Sequence, residues 1–339
     1  MKRRQMLGML AAVGGGGALA GCGGQGLPDL GKVLLLRQSL STVVFKRAGR
    51  ISGIPITAQV VANRRDLWQR VQQGTGAALS LLGGDWLERA VATERIRPIP
   101  REWLVQHDGF GLPQAWQRLV THDEQVWGIP WRWGVTAIGY RRDLVGIPIR
   151  DWPDLWRPEL RGHLTLPDHP REVLDVVQRV SGLSDVQDPI FQESLEELHA
   201  QVLLYSSRDY IPMLRIGDAW AAVGWSEDLY QAQRVDDRIE VVLPPSGSLI
   251  WWDGWVVPKE AGGIGDPSPW LAALYQPDLA EATMVASRIN SVLPITAASP
   301  GLLAPEVLAR STMPLPLPTT TQLAYLKVWQ ALRQGSLTG

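Results

Sequence analysis

From residue 32 onward the chain alternates between short apolar runs and amphipathic segments. Lys32 to Arg37 (KVLLLR), Ile54 to Val61 (IPITAQVV) and Ala77 to Leu82 (AALSLL) are runs of strand length. Leu40 to Arg50 reads as a helix ended near Gly49 and Gly53. Arg64 to Gln73 reads as a helix with Leu67, Trp68 and Val71 on one face, and Leu87 to Ile96 as a third. Strands and helices at this spacing predict an α/β layered domain with a mostly parallel sheet. Ligands of such sheets gather at the carboxyl ends of strands, where Gly83-Gly84-Asp85-Trp86 lies. Asp85 and Trp86 are therefore candidate ligand contacts, with Asp85 as N-cap of the next helix the alternative.

The pattern continues with a long strand in Trp127 to Tyr140, punctuated by Pro130 and Gly134 as suits a crossing between lobes. Gly162 to Pro167 is a strand. A helix then opens at Pro170, where Pro at the first position and Glu172 fit a capping box. Pro189 to Leu203 reads as a surface helix, Ala219 to Trp225 as a buried strand, Ser226 to Gln233 as a helix and Ile239 to Pro244 as a strand. Thr320 to Arg333 closes the chain as a helix.

One stretch combines strand pattern with chemistry. Ser248 to Pro258 (SLIWWDGWVVP) sets one carboxylate among three tryptophans in an otherwise apolar run. Alternation puts Trp251, Asp253 and Trp255 on one side and Trp252 on the other. An anion flanked by π faces suits an organic cation. A core strand whose Asp caps a turn at Gly254 is the competing reading.

Composition adds little except in the aromatics: 16 Trp stand beside only 3 Phe, an excess that often marks recognition surfaces. The chain is 45% hydrophobic and 20% charged, with a formal net charge of −1. Without a basic block beyond the N-terminus, nucleic acid is not an expected partner. A single cysteine excludes an intrachain disulfide, and the five histidines show no metal-ligand spacing. No nucleophile–base constellation or phosphate loop is present, so no catalytic residue, metal or cofactor is expected.

The N-terminus reads as an address. Lys2-Arg3-Arg4 precedes an apolar, Gly-rich stretch from Met6 to Ala20, and Leu19-Ala20-Gly21-Cys22 follows. The apolar part is shorter than the roughly 20 residues that span a bilayer. Leu-Ala-Gly-Cys resembles the lipobox of bacterial lipoproteins, which implies lipidation at Cys22. Arg3-Arg4 also loosely resembles a twin-arginine signal.

Five stretches, in order, resemble one family: the polyamine (spermidine/putrescine) binding proteins of bacterial ABC importers. Gly128 to Tyr140 (GIPWRWGVTAIGY) resembles their crossover PYxWGxTAIGxN, and Asp151 to Gly162 (DWPDLWRPELRG) resembles SWADLWxPExxG. Pro167 to Val173 resembles DDAREV, Gly217 to Trp225 the strand GEV…W, and Trp251-Trp252-Asp253 with Val256-Val257-Pro258 resembles WMDxxAIP. The resemblance implies a two-lobed type II periplasmic-binding-protein fold of the α/β class, with a hinge and an inter-lobe cleft. It divides the chain into a signal peptide (1–21), a lipid-anchored tether (22–31), lobe one (32–133), lobe two (134–250) and a return to lobe one with the C-terminal helix (251–339). It implies a lipid-anchored extracytoplasmic receptor, a small-molecule cationic ligand such as a polyamine, and an ABC permease as partner. Carried over, Asp253 is the ammonium anchor, Trp251 and Trp225 are aromatic walls, and Glu172 is a second anchor.

The lobe-one half departs from the family pattern. His169 stands where the second Asp of DDAREV falls, and Arg37 to Ser41 holds neither aromatic nor acid where the family has W-x-E-Y. The family's lobe-one tyrosine falls near Gly84 or Asp85, and Ser291 to Pro294 replaces a Gly-Tyr-Pro motif. A smaller, monocationic or differently substituted ligand is expected, and Arg37 would favour one that carries an anion. The alternatives are a related receptor for another small ligand and a scaffold lipoprotein that no longer transports.

Overall fold

The computed structural model describes residues 31–337 except 38, 263–264, 288, 294–308 and 316. The signal and lipobox readings, including Cys22, lie outside the described residues. β1 (Lys32–Leu36), β2 (Thr57–Val61) and β3 (Ala77–Gly83) run parallel with β1 in the middle. α1 (Thr42–Ser52) and α2 (Arg64–Gln73) connect them. Ser41 caps α1 by accepting from the Val44 amide, and Asn63 caps α2 by accepting from the Asp66 amide.

α3 (Gly84–Ala92) starts three residues before Leu87, directly from the end of β3. Gly83 is its N-cap residue, so Asp85 lies inside the first turn instead of capping it. Gly84 makes this start possible. A Cβ there would sit 2.1 Å from the Trp252 indole.

β4 (Ile96–Arg97), α4 (Arg101–Gln106), α5 (Gln114–Val120) and a small hairpin, β5 (Thr121–His122) with β6 (Gln125–Val126), lead to β7 (Ile129–Arg141). All thirteen residues of β7 are buried. The second lobe follows, with β8 (Leu164–Leu166), α6 (Pro170–Ser181), α7 (Pro189–His199), β9 (Val202–Tyr205), α8 (Tyr210–Ile216), β10 (Ala221–Trp225), α9 (Ser226–Val235) and β11 (Ile239–Val242). The chain returns through β12 (Ile250–Pro258), α10 (Ser268–Leu274), α11 (Pro277–Ser287) and β13 (Asn290–Ser291) and closes with α12 (Thr319–Gln334). The expected helix to Leu203 ends at His199, because Val202 to Tyr205 pairs with β8. Among the described residues no helix is long and apolar enough to cross a membrane.

The strand order is β2-β1-β3-β12-β7-β10-β8-β9. β7 serves both lobes. Residues Ile129 to Val135 pair antiparallel with β12, and Thr136 to Arg141 pair with β10 and β11. One hydrophobic core gathers β1 to β3, β12, α10 and the first half of β7; two others gather the residues between Ala137 and Val242. The cores part near 135–137 and 249–250, where three segments run side by side. Thr136 N–H donates to the Leu249 carbonyl (3.0 Å), Ile250 N–H to Thr312 (2.9 Å) and Thr312 N–H to Ser248 (2.8 Å). Segments crossing side by side are the hinge geometry of two-lobed proteins.

The closing helix differs from the sequence assignment to lobe one. Its apolar face, Val328, Trp329 and Leu332, enters the second-lobe core, and Trp329 meets Tyr205 edge-on at 5.0 Å.

Candidate functional site

β7 and β12 are buried strands that each carry charge among apolar neighbours. Their register sets Asp253 opposite Arg132. Trp131 is the extra residue of a bulge that falls beside this pair. Arg132 donates from Nε (3.0 Å) and Nη2 (2.7 Å) to Oδ2 of Asp253. Its Nη1 donates to Glu227 Oε1 on α9 at 3.1 Å and to the Ser39 carbonyl at 3.4 Å. Arg64, the first residue of α2, donates to both carboxylate oxygens of Asp253. Asp253 is 0% exposed, Arg132 2% and Glu227 6%. Charges so deeply buried persist only when paired. Burial works against the charge on Arg64, and Asp253 more than offsets it, holding the pKa above its ordinary value. Burial pushes the Glu227 carboxyl up to about 7 despite the opposing pull of Arg132.

Trp225, at the end of β10, and Trp251, on β12, flank Arg64. The guanidinium carbon lies 4.7 Å from the Trp225 ring and 4.9 Å from the Trp251 ring, within cation–π range. Trp251 is held by donation from Nε1 to the Val135 carbonyl (3.2 Å). It fits there because residue 134 is glycine, whose added Cβ would meet the indole at 2.4 Å. The carboxylate and two indoles that the sequence assigns to a ligand cation thus surround a cation of the chain itself. Asp253 points into the buried ion-pair cluster and does not line the cleft, because two arginines saturate it.

A cleft between the lobes is lined in part by Arg64, Asp85, His169, Glu172, Trp225 and Trp251. Glu172 stands in the first turn of α6 and is 8% exposed. Its Oε1 accepts from Trp225 Nε1 at 3.2 Å, while Oε2 has no hydrogen-bond partner among the described residues. The glutamate lines the cleft and completes no capping box at His169. Burial raises its pKa against the lowering effect of His169 and of the Trp225 hydrogen bond. Asp85 is exposed on the same cleft from the first turn of α3. Trp86 is elsewhere, stacked on Trp68 at 5.0 Å and 18°.

A second hollow lies on the other side of Arg64, with Arg37, Tyr210, Glu227 and Asp228 in its lining. Arg64 and Trp225 line both spaces and stand between them.

Sequence reasoning missed Arg64, Arg132 and Glu227. A signal existed for Arg132, since a lone arginine in the buried run Ile129 to Tyr140 requires an anion, and Asp253 is alone in the other buried run. Arg64 carried no such signal at the start of an exposed-looking helix.

Residues 52–288 match the family described as bacterial extracellular solute-binding proteins. The chain is 32% identical over 193 residues to the spermidine/putrescine-binding periplasmic protein of Escherichia coli, a match covering 55% of this chain and 55% of that protein. It thus spans about half the length of that protein. Its fold resembles that of the spermidine/putrescine ABC transporter substrate-binding protein of Streptococcus pneumoniae, with a TM-score of 0.73 at 15% identity over 89% of this chain and 98% of the other. It also resembles a lipoprotein of Treponema pallidum, with a TM-score of 0.69 at 15% identity over 90% and 99%. The architecture is the mixed α/β periplasmic-binding-protein fold.

Proposed function

Because the chain belongs to the bacterial extracellular solute-binding proteins, a family of receptors and not of enzymes, we propose that it is the lipid-anchored receptor of an ABC importer and captures a small organic cation, polyamine-like in its amine chemistry, between two lobes. Glu172 carries this reading: a buried carboxylate with one unpartnered oxygen, in an inter-lobe cleft that also holds Asp85 and two indole walls. An ammonium group placed there would gain a charge-assisted hydrogen bond, and each methylene buried against the cleft wall would add about 0.8 kcal/mol. Closing of the lobes about the three-segment hinge would then present the complex to a permease. The polyamine-binding relatives support the ligand class.

Thermal-shift titration with small amines tests the ligand. A ligand at 100 times its dissociation constant adds about 2.7 kcal/mol of stability, an easily read rise in Tm. Glu172→Gln should weaken amine affinity at least tenfold while leaving the Tm of the free protein unchanged or higher, since it neutralises a buried charge. An amine response that survives Glu172→Gln undiminished removes this residue from the site.

The lipid anchor rests on Leu19-Ala20-Gly21-Cys22 and on the likeness to a lipoprotein. Cys22→Ser should move the exported protein from the membrane fraction to the soluble one. Unchanged membrane association in that variant overturns the anchor.

A further inference from the structure

We propose that Arg64 permanently occupies one ammonium position of the cleft and thereby restricts the ligand to small amines with a single ammonium group, against linear diamines and longer polyamines. The inference rests on the reading that the cleft receives a cation, and it names which cations.

The cage around Arg64 has the three parts an ammonium requires, two ring faces and a carboxylate. Trp225 and Trp251 supply the faces at 4.7 and 4.9 Å, and Asp253 accepts from both terminal nitrogens of the guanidinium. The occupant is held firmly. Only 11% of the Arg64 side chain is exposed, and its carboxylate partner is fully buried. A ligand ammonium seeking this position must displace a tethered guanidinium, whose effective concentration is far above that of any free amine.

What remains in the cleft matches one ammonium group. Glu172 Oε2 lacks a partner, and Asp85 is exposed nearby. Beyond them Arg64 and Arg171 line the same space together with the exposed Glu88, so a second ammonium on the Arg64 side meets like charge. An uncharged or anionic far end meets no such repulsion. The ligand class is therefore a short primary amine whose other end is apolar or a carboxylate. The lysine-like reach of a diamine is already supplied from α2 by the protein.

Isothermal titration of the purified protein with putrescine, butylamine and 4-aminobutanoate tests this. Wild type should bind one of the two single-ammonium compounds at least tenfold more tightly than putrescine. Butylamine in the lead assigns an apolar far end, 4-aminobutanoate an anionic one beside the arginines. Arg64→Ala should raise putrescine affinity at least tenfold and reverse the order, while Arg64→Lys, which keeps a cation in the cage, should preserve the wild-type order. A wild-type preference for putrescine overturns the inference even if Arg64→Ala fails to fold. So does a folded Arg64→Ala with an unchanged affinity ratio. Both of these outcomes leave the cation receptor standing. Binding of none of the three by either protein removes the cation-receptor reading itself and the inference with it.

Discussion

Asp253→Ala is expected to destabilise the protein by about 3–5 kcal/mol, the cost of stranding buried charge. The carboxylate is 0% exposed and is the shared acceptor of Arg64 and Arg132. Removing it leaves two guanidiniums facing one another, with Glu227 as the remaining carboxylate bonded to Arg132. A loss of this size lowers Tm by roughly 4–7 °C in a chain of this length. Asp253→Asn should lose less, because one oxygen still accepts. A thermal melt of each variant checks the order. A double-mutant cycle with Arg132→Met separates the pair from its surroundings, since part of the loss should return when one stranded charge is removed. A melt for Asp253→Ala within 1 °C of wild type would show that the cluster contributes nothing to the fold.

The second large effect depends on pH. Glu227 titrates at about 7 in the folded protein against 4.5 for the ordinary group, because burial disfavours its charge more than Arg132 favours it. Asp228, Arg64 and Asp253 also act on it. Between those two values the folded state binds more protons than the unfolded one, so stability falls as pH rises. The contribution is full below about pH 4.5 and gone above about pH 7, on the order of 3 kcal/mol in all. Glu227→Gln removes this slope. Denaturant melts at pH 5 and pH 8 should show the gap between the two conditions moving by that amount in the variant, toward greater relative stability at pH 8. Parallel curves for variant and wild type would place the Glu227 pKa near its ordinary value.

The strand–helix alternation was legible because each element is written locally. Arg64 to Gln73 begins with a capping Asn63 and ends at a glycine, and its structure has the same bounds. The stretch Leu249 to Pro258 was legible as a buried strand for the same reason. The partner of its carboxylate was not. Asp253 is bound by residues 121 and 189 positions away, and no local pattern states which distant arginine a lone aspartate will meet. The aromatic cage was therefore visible and its occupant was not. α8 also went unread, since Pro212 interrupts its pattern in a segment that helical periodicity alone does not mark. The placement of α12 on the second lobe depends on which core its Val328–Trp329–Leu332 face meets, a choice that amphipathicity leaves open.

The sharing of β7 between the lobes bears on the order in which the chain assembles. β3 ends at Gly83, yet its other neighbour, β12, begins at Ile250. Everything between Thr136 and Leu249 is an insertion whose ends meet at 3.0 Å. In a chain delivered N-terminus first, the second lobe's strands from β7 to β11 are present before β12 arrives. The first lobe waits with an open edge on β3 and with Arg132 lacking Asp253. Such open edges and unpaired polar groups are what chaperones shield. The docking of β12 therefore closes the edge of β3 and brings Asp253 to the buried arginines together, which couples the maturation of the first lobe to the return of the chain from the second.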